Sequence, residues 1–462
     1  MVSGGPSVER MLGGGLGRHA RPGGVWYAAG PWAMLALTFS WLVLMWRQRA
    51  CLDGGDAYEN LCYTDITALF YWRGVGEGRI PYLEADLEYP VLTGMLIDLT
   101  RRIVNLFGGL TAPGLVGDEL DHSAQLFFGI SAVLLFLGFA VLVWAHLRMS
   151  RPWDALMIAV SPAVMTAALV NWDALVVALT SLALLAWSRR RPAWTGVWLG
   201  LGVAAKLYPV LLLVPLALLC LRAGRWRPFF LTAGVTAVTW TAINLPVYLL
   251  APEGWLNFWS MNADRTADLG SIWYVLSLAG VTVDALSVWV AGLMIAGTLA
   301  LAFLLLFAPR RPRLAQGAFL IVTLFLLVNK VYSPQYVLWL LPLLVLARPR
   351  WLDWAVFSVA ELGYFVAIWA HIAGLTATGV GGEDRIYMAA VLFRIGVQVW
   401  LCVRVVRDVW HPSRDIVRAG GLDDPDGGLL DGRPDAPWLV GIRGVLAGSA
   451  SGLRTRWPSA ST

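Results

Sequence analysis

Apolar runs of roughly twenty residues recur along this chain, separated by short polar connections. An α-helix needs about 20 apolar residues to cross the hydrocarbon core of a bilayer, so each run is a candidate membrane span. Hydrophobic residues make up 58% of the 462 residues and charged residues 14%, a balance typical of polytopic membrane proteins. The sequence therefore predicts an all-α membrane protein with about 11–13 spans. The predicted runs are 30–47, 123–147, 153–170, 172–188, 193–206, 207–222, 229–250, 283–308, 314–330, 334–347, 352–374 and 385–407.

Arginine placement predicts the orientation of these spans, because cytoplasmic loops are enriched in basic residues. Clusters near residues 148–151, 189–191, 222–227, 310–313 and 348–350 occupy every second connection. This use of arginine also explains the pI near 9.1 without nucleic-acid binding. The alternation requires that 88–107 lies in the membrane interface and does not cross. We therefore expect a plasma (inner) membrane protein with an uncleaved first span, cytoplasmic termini and an outward-facing active site.

Three regions follow from this topology. Residues 1–29 are predicted to be a flexible cytoplasmic tail, and 30–407 a membrane domain whose first outer loop covers 48–122. Residues 408–462, rich in Gly, Asp and Pro, are predicted to be a disordered cytoplasmic tail. Cys51 and Cys62 lie in the first outer loop, where a disulfide is chemically permitted, as are two free thiols.

Asp65 lies in the apolar stretch YTDITALF, just beyond the first span. Partial burial raises the pKa of a carboxylate and makes it a better proton acceptor near neutral pH. Asp65 is therefore our candidate general base. The alternative is that it caps or solvates a surface helix.

The chain contains two lysines, Lys206 and Lys330, and both fall on predicted outward connections. Cations at headgroup depth suit a lipid-linked phosphate, and Arg265 and His371 are further candidates to bind it. The alternative is that the lysines anchor helix ends at the interface.

Polar groups among aromatic rings suit carbohydrate, which offers both CH faces and hydroxyl groups. Glu88 and Tyr89 precede Pro90, Asn171 and Asp173 interrupt an apolar run, and 255–274 mixes aromatic and polar residues. An interfacial aromatic belt would produce a similar composition. Within the predicted spans, Glu361 and Arg394 are placed to form an ion pair.

The order of several short motifs resembles that of the GT-C membrane glycosyltransferases, and most closely glycosyltransferase family 87. The motifs are Asp65 in the first outer loop, GRIPY at 78–82, EYP at 88–90, NWD at 171–173, KLYP at 206–209 and NKVYSPQYVLWLLP at 329–342. The resemblance implies juxtamembrane helices in a large first outer loop and a catalytic aspartate, which by position is Asp65. It also implies inverting transfer of a sugar, by default mannose, from a polyprenyl phosphate donor to a cell-envelope glycolipid or polysaccharide. In these motifs we assign Tyr208, Tyr332 and Gln335 to sugar or acceptor binding.

We find no nucleotide-binding, metal-binding or serine-hydrolase motif in the sequence, so no cofactor is predicted. A transporter or flippase for a lipid-linked or small solute is the main alternative, suggested by the number of spans and the Glu361 and Arg394 charges. A non-catalytic envelope scaffold is a third hypothesis. A cavity lined by Asp65 and both lysines would favour sugar transfer, whereas a midplane site around Glu361 would favour transport.

Overall fold

A computed structural model of the protein describes residues 27–376 and 384–442, and this part of the chain is α-helical without a β-strand. The predicted tail 1–29 and the predicted connection 381–385 lie largely outside the described residues. The α-helices in the described ranges are α1 (Ala29–Leu52), α2 (Asp65–Trp72), α3 (Val91–Leu106), α4 (Asp118–Leu147), α5 (Ala155–Ala159), α6 (Pro162–Ala167), α7 (Asp173–Ser188), α8 (Pro192–Ala205), α9 (Leu213–Arg222), α10 (Trp226–Leu250), α11 (Pro252–Asp264), α12 (Ile272–Leu278), α13 (Leu286–Phe307), α14 (Leu314–Val328), α15 (Val337–Ala347), α16 (Trp351–Ile372) and α17 (Arg385–Trp410).

Six of these helices are long and apolar enough to cross a membrane, which confirms a polytopic helical membrane protein. They are α1, α4, α10, α13, α16 and α17. Four shorter apolar helices correspond to further predicted runs, at Asp173–Ser188, Tyr208–Arg222, Leu314–Val328 and Pro334–Ala347. The predicted run 153–170 is not one continuous helix: it divides into α5 and α6. The break lies before Pro162, because proline lacks an amide hydrogen and disfavours helix in the preceding residue.

The segment between α1 and α4 contains two helices, as expected for the first loop. Helix α3 is amphipathic, and Asp98 forms ion pairs with Arg101 at 2.6 Å and Arg102 at 2.7 Å. This helix is not among those long and apolar enough to cross, in agreement with the interface helix predicted for 88–107. A disulfide joins Cys51 to Cys62 and so ties the end of α1 to the chain just before α2.

Helices α16 and α17 are joined by the predicted pair of buried charges. Arg394 Nε lies 2.9 Å from Glu361 Oε2, which confirms the predicted ion pair. Gln398 Nε2 donates to Glu361 Oε1 at 2.6 Å and to the Tyr332 hydroxyl at 2.6 Å. The two charges therefore belong to one hydrogen-bonded network between the helices, in which Arg394 Nη2 and Gln398 Oε1 have no partner among the described residues.

Residues 411–442, which we name the C-terminal strap, are folded against the membrane domain. The prediction of a disordered tail from residue 408 is therefore wrong for this segment. Helix α17 continues to Trp410, and the strap then packs on the arginine-bearing connections. Arg313 forms a buried two-point ion pair with Asp415, at 2.7 and 3.1 Å. Further pairs link Arg222 to Asp435 and Arg310 to Asp423, each at 2.8 Å. Composition predicted disorder because it does not reveal that the aspartates of this segment match arginines more than 100 residues away.

Candidate active site

A cavity of about 640 Å³ lies where α7 begins and where α8, α14 and α16 end, covered by the loop that carries α2. It brings together residues that are far apart in the sequence. Eight of the twelve predicted site residues line it: Asp65, Glu88, Tyr89, Asn171, Lys206, Tyr208, Arg265 and Gln335. The other four, Lys330, His371, Asp173 and Tyr332, do not line it.

The backbone at Asp65 is fixed by the loop that precedes α7. Thr64 caps α2, with its side-chain oxygen accepting from the Ile66 amide at 3.2 Å. The same hydroxyl donates to the Leu169 carbonyl at 2.5 Å, and the Asp65 amide donates to the Val170 carbonyl at 2.7 Å. The first residue of α2 is thus attached directly to the segment that contains NWD.

The Asp65 carboxylate is partly exposed to the cavity and accepts a hydrogen bond from the Tyr89 hydroxyl. Burial raises the pKa of Asp65 above its ordinary value, while hydrogen bonds from Tyr89 and Tyr63 and the Lys206 charge act in the opposite direction. Burial and the nearby Asp65 charge raise the pKa of Tyr89 well above its ordinary value. Tyr89 therefore stays protonated and acts as a hydrogen-bond donor to the carboxylate.

Tyr89 is itself positioned by the turn before α3. The Tyr82 hydroxyl donates to the Tyr89 carbonyl at 2.7 Å, and α3 begins at Val91 with Pro90 as its cap. Glu88 also lines the cavity and forms an ion pair with Arg73. The EYP motif thus begins helix α3 and also positions Tyr89 beside Asp65.

Lys206 is enclosed by one carboxylate and three aromatic rings. Its Nζ lies 3.1 Å from Asp173 Oδ1, and Asp173 Oδ2 accepts from Trp339 Nε1 at 2.9 Å. The ammonium lies 5.0 Å from the ring centre of Tyr89, 5.5 Å from that of Tyr336 and 5.7 Å from that of Trp339. Asp173 is buried behind this cage, where it neutralises Lys206 and does not face the cavity.

Aromatic rings form two walls of the cavity, and sequence reasoning named few of them. On one wall Tyr208, Trp339 and Tyr336 stack in turn, with ring centres 4.5 and 4.0 Å apart. On the other, Tyr58 and Tyr63 pack on Trp369. Tyr336 and Trp339 belong to the motif at 329–342, where their i, i+3 spacing places them on one helix face.

Arg265 lines the cavity and, among the residues that the structure describes, makes no ion pair. Its loop is joined to the segment after α14, since the Asp268 amide donates to the Lys330 carbonyl at 2.9 Å. Gly270 has a positive φ of 77°, and an added Cβ there would collide with the Tyr332 carbonyl. The glycine thus permits the close approach that holds this loop in place.

Three predicted residues are bonded outside the cavity. Lys330 Nζ donates to the Ala263 carbonyl at 3.1 Å and so stabilises the end of α11. His371 Nδ1 lies 2.8 Å from Asp384 Oδ2, and its Nε2 lies 3.1 Å from the Tyr274 hydroxyl. The ring of Tyr332 lies 3.5 Å from the Arg394 guanidinium, and its hydroxyl accepts from Gln398. All three side chains bind other protein groups. The sequence had predicted that they would contact the donor phosphate or the sugar.

Three buried polar atoms in the cavity wall are left without partners in the described part of the chain: Asn171 Nδ2, Gln335 Oε1 and Trp369 Nε1. Buried polar groups are nearly always hydrogen-bonded, so one acceptor and two donors remain for a polar ligand. The described residues contain no group of three or more His, Cys, Asp or Glu arranged to hold a metal ion.

Comparison with known families agrees with the family that the motifs indicated. Residues 122–329 match glycosyltransferase family 87. The matched region runs from α4 to the end of α14 and includes Asn171, Lys206 and Arg265, whereas Asp65 precedes it.

Proposed function

We propose that the chain is a membrane glycosyltransferase of family 87 and that it transfers a sugar, by default mannose, from a polyprenyl phosphate to a cell-envelope glycolipid or polysaccharide. Transfer inverts the anomeric centre and takes place on the extracytoplasmic side of the plasma membrane. The observation that carries this proposal is that Asp65, Lys206 and Arg265 line one cavity at one end of the membrane helices.

In the proposed reaction Asp65 accepts the proton of an acceptor hydroxyl. The acceptor oxygen attacks the anomeric carbon while the bond from that carbon to the phosphate oxygen breaks, and its electron pair leaves with the polyprenyl phosphate. A single base is sufficient for inversion by one displacement. The partial burial of Asp65 supports this role, because a raised pKa makes the carboxylate a stronger base.

Arg265 is the residue that we assign to the departing phosphate. The leaving group gains negative charge as the bond breaks, and a guanidinium can donate two parallel hydrogen bonds to its oxygens. Lys206 also adds positive potential to the cavity, but its ammonium already faces Asp173 and three rings. Arg265 also lines the cavity, and it forms no ion pair among the described residues.

The aromatic walls and the three unpartnered polar atoms suit a sugar. Rings such as Tyr336 and Tyr63 offer flat faces for CH groups. Gln335 Oε1 can accept from a sugar hydroxyl, and Trp369 Nε1 can donate to one. We therefore propose that the sugar lies between these walls, with Asn171, Tyr208 and Glu88 as further polar contacts.

The distribution of arginine supports an extracytoplasmic cavity. The cavity is lined by Trp369 and Ile372 at the end of α16, whereas Arg348 and Arg350 precede its first residue. A helix of 22 residues is about 33 Å long, so the two groups lie on opposite sides of a bilayer. The positive-inside rule assigns the arginine end to the cytoplasm.

The transporter alternative receives less support. Glu361 and Arg394 pair with each other and do not line the cavity. A substrate pathway through the midplane would need these charges, or others, to face an open space.

The direct test is turnover in isolated membranes with and without the protein. Labelled polyprenyl phosphates carrying mannose, arabinose or glucose are offered, and the anomeric configuration of the product is determined by NMR. We expect one donor to be consumed, with inversion. Asp65→Asn should lower turnover by a factor of about 10² or more, since it removes a general base.

The matched control is Asp86→Asn, because Asp86 is an exposed aspartate in the same loop. It should retain wild-type turnover within about twofold. Turnover of Asp65→Asn close to that of Asp86→Asn would remove Asp65 from the mechanism. Consumption of a sugar nucleotide, with no polyprenyl phosphate consumed, would refute the proposed donor.

A further inference from the structure

A second cavity, of about 430 Å³, lies at the opposite end of α16 and α17 from the candidate active site. It is bounded by the connection before α16, the last turns of α17 and the beginning of the C-terminal strap. Its lining includes six arginines: Arg348, Arg350, Arg404, Arg407, Arg414 and Arg418. We name it the arginine cavity.

The carboxylates around the arginine cavity do not balance its arginines. Two aspartates, Asp408 and Asp415, line it. Buried Asp353 lies behind the wall, where it pairs with Arg348 and is 4.0 Å from Arg404. When Asp353 is included, the six arginines outnumber these carboxylates by three. Asp423 and Asp424 also act on Arg418, but they are shared with Arg310 and Arg313.

The guanidinium groups also have unused hydrogen-bond donors. The Nε atoms of Arg350, Arg404 and Arg418 are buried and have no hydrogen-bond partner among the described residues. Arg418 is 7% exposed, and its Nε lies 3.7 Å from Asp415 Oδ2, beyond hydrogen-bonding distance. Arg407 and Arg414 are exposed at the edge and form no ion pair in the described ranges. Buried donors without partners are unfavourable, so these guanidinium groups are suited to an acceptor-rich, negatively charged group.

We propose that the arginine cavity binds a phosphate-bearing anion on the face of the membrane opposite the site of sugar transfer. A phosphate group presents several strong acceptor oxygens and matches the planar donor pattern of arginine. The anion contacts three segments at once: the strap, the connection before α16 and the end of α17. Its binding therefore stabilises the strap against the membrane domain. The proposal is independent of the transfer reaction, because the two cavities lie at opposite ends of the same helices.

The full-length protein in nanodiscs of neutral phosphatidylcholine provides the first test. Inorganic phosphate and pyrophosphate are titrated at constant ionic strength, with the melting temperature and calorimetric heat as readouts. We expect saturable binding and slower proteolysis within the strap. The double variant Arg407→Gln/Arg414→Gln should weaken binding by about tenfold or more, because it removes two cations from the edge of the cavity.

The matched control is Arg225→Gln/Arg227→Gln. These two arginines are exposed in another arginine cluster and do not line the cavity, so the total change in charge is the same. Binding by this control should stay within about twofold of the wild type. Without ligand, both double variants should melt at the wild-type temperature, since all four side chains are exposed.

The second arm identifies the source of the phosphate. Nanodiscs in which part of the neutral lipid is replaced by phosphatidylglycerol are compared, and co-purifying lipid is measured by native mass spectrometry. Saturable binding of pyrophosphate or phosphate assigns the site to a soluble anion. Retention of phosphatidylglycerol that is lost in Arg407→Gln/Arg414→Gln assigns it to a lipid headgroup. Binding in neither arm, or equal weakening in both double variants, would overturn the proposal.

Discussion

Tyr89 donates its hydroxyl hydrogen to the carboxylate of Asp65. The ammonium of Lys206 lies 5.0 Å from the centre of the Tyr89 ring. Tyr89 therefore contacts both the proposed base and the buried cation. The ring is further packed edge-on against Trp172. A single tyrosine therefore positions the proposed base and contributes to the cage of the buried cation.

Tyr89→Phe keeps the ring and removes the hydroxyl. We expect turnover near neutral pH to fall by about tenfold, because the carboxylate loses a hydrogen bond that orients it. The control is Tyr71→Phe, which removes a hydrogen bond from another tyrosine to Asp121, at 2.8 Å on the exposed surface. If the two variants lose activity equally, the Tyr89 hydroxyl has no special role in the site.

The dependence of turnover on pH should reflect the raised pKa of Asp65. The base must be ionised to accept a proton, so turnover falls as the pH drops through this pKa. Because burial raises the pKa, the acidic limb should lie above the ordinary aspartate value of 3.8. Tyr89→Phe should move the limb further upward, since a hydrogen bond that favours the ionised form is lost. Single-turnover rates in membranes from pH 4 upward would measure this, and a limb at or below 3.8 would contradict it.

The raised pKa of Asp65 also predicts that replacing this residue does not lower the stability of the protein, whereas most substitutions of buried residues do. An aspartate whose pKa is higher in the folded than in the unfolded state destabilises the fold once the pH exceeds both values. Asp65→Asn removes that charge, so at neutral pH its melting temperature in detergent should equal or exceed that of the wild type. A clear decrease would indicate that the carboxylate stabilises the fold and that its burial is not unfavourable.

Arg265 and Lys330 should differ in their effect on the donor. Arg265→Gln is expected to lower kcat/KM for the polyprenyl phosphosugar by about 10- to 100-fold, because it removes a charge-assisted contact to the phosphate. Lys330→Gln should change it by less than about threefold, since its ammonium binds the Ala263 carbonyl outside the cavity. Equal losses in the two variants would show that Lys330 binds the donor phosphate, as the sequence predicted.

Lys206 and Asp173 form a buried pair whose members depend on each other. The side chain of Asp173 is 2% exposed and that of Lys206 17%. Lys206→Met should destabilise the protein by about 3–5 kcal/mol, because it leaves the Asp173 charge buried without its counterion. Adding Asp173→Asn should recover most of the melting temperature but not turnover, since the positive potential of Lys206 near Asp65 is still missing. Recovery of activity in the double variant would show that Lys206 has a structural role alone.

The class of fold was predictable from the sequence, because burial in a bilayer leaves a local signature of long apolar runs and arginine-rich connections. It also identified a helical first loop and the Glu361 and Arg394 pair, and the order of its motifs indicated the family that residues 122–329 match. Asp65, Tyr89 and Arg265 could be selected in the same way, since a polar side chain in apolar surroundings is conspicuous in one dimension.

Tertiary structure alone decided which of these side chains face a common space. Lys206 and Lys330 are equivalent by sequence, yet one lies in the cavity wall and the other binds a helix end. Tyr332 and His371 likewise bind other protein groups outside the cavity. The aspartates of the strap form ion pairs with arginines that are far away in the sequence. Side-chain direction and long-range ion pairing depend on how helices pack against one another. Hydropathy measures the affinity of each segment for the bilayer and carries no information about that packing.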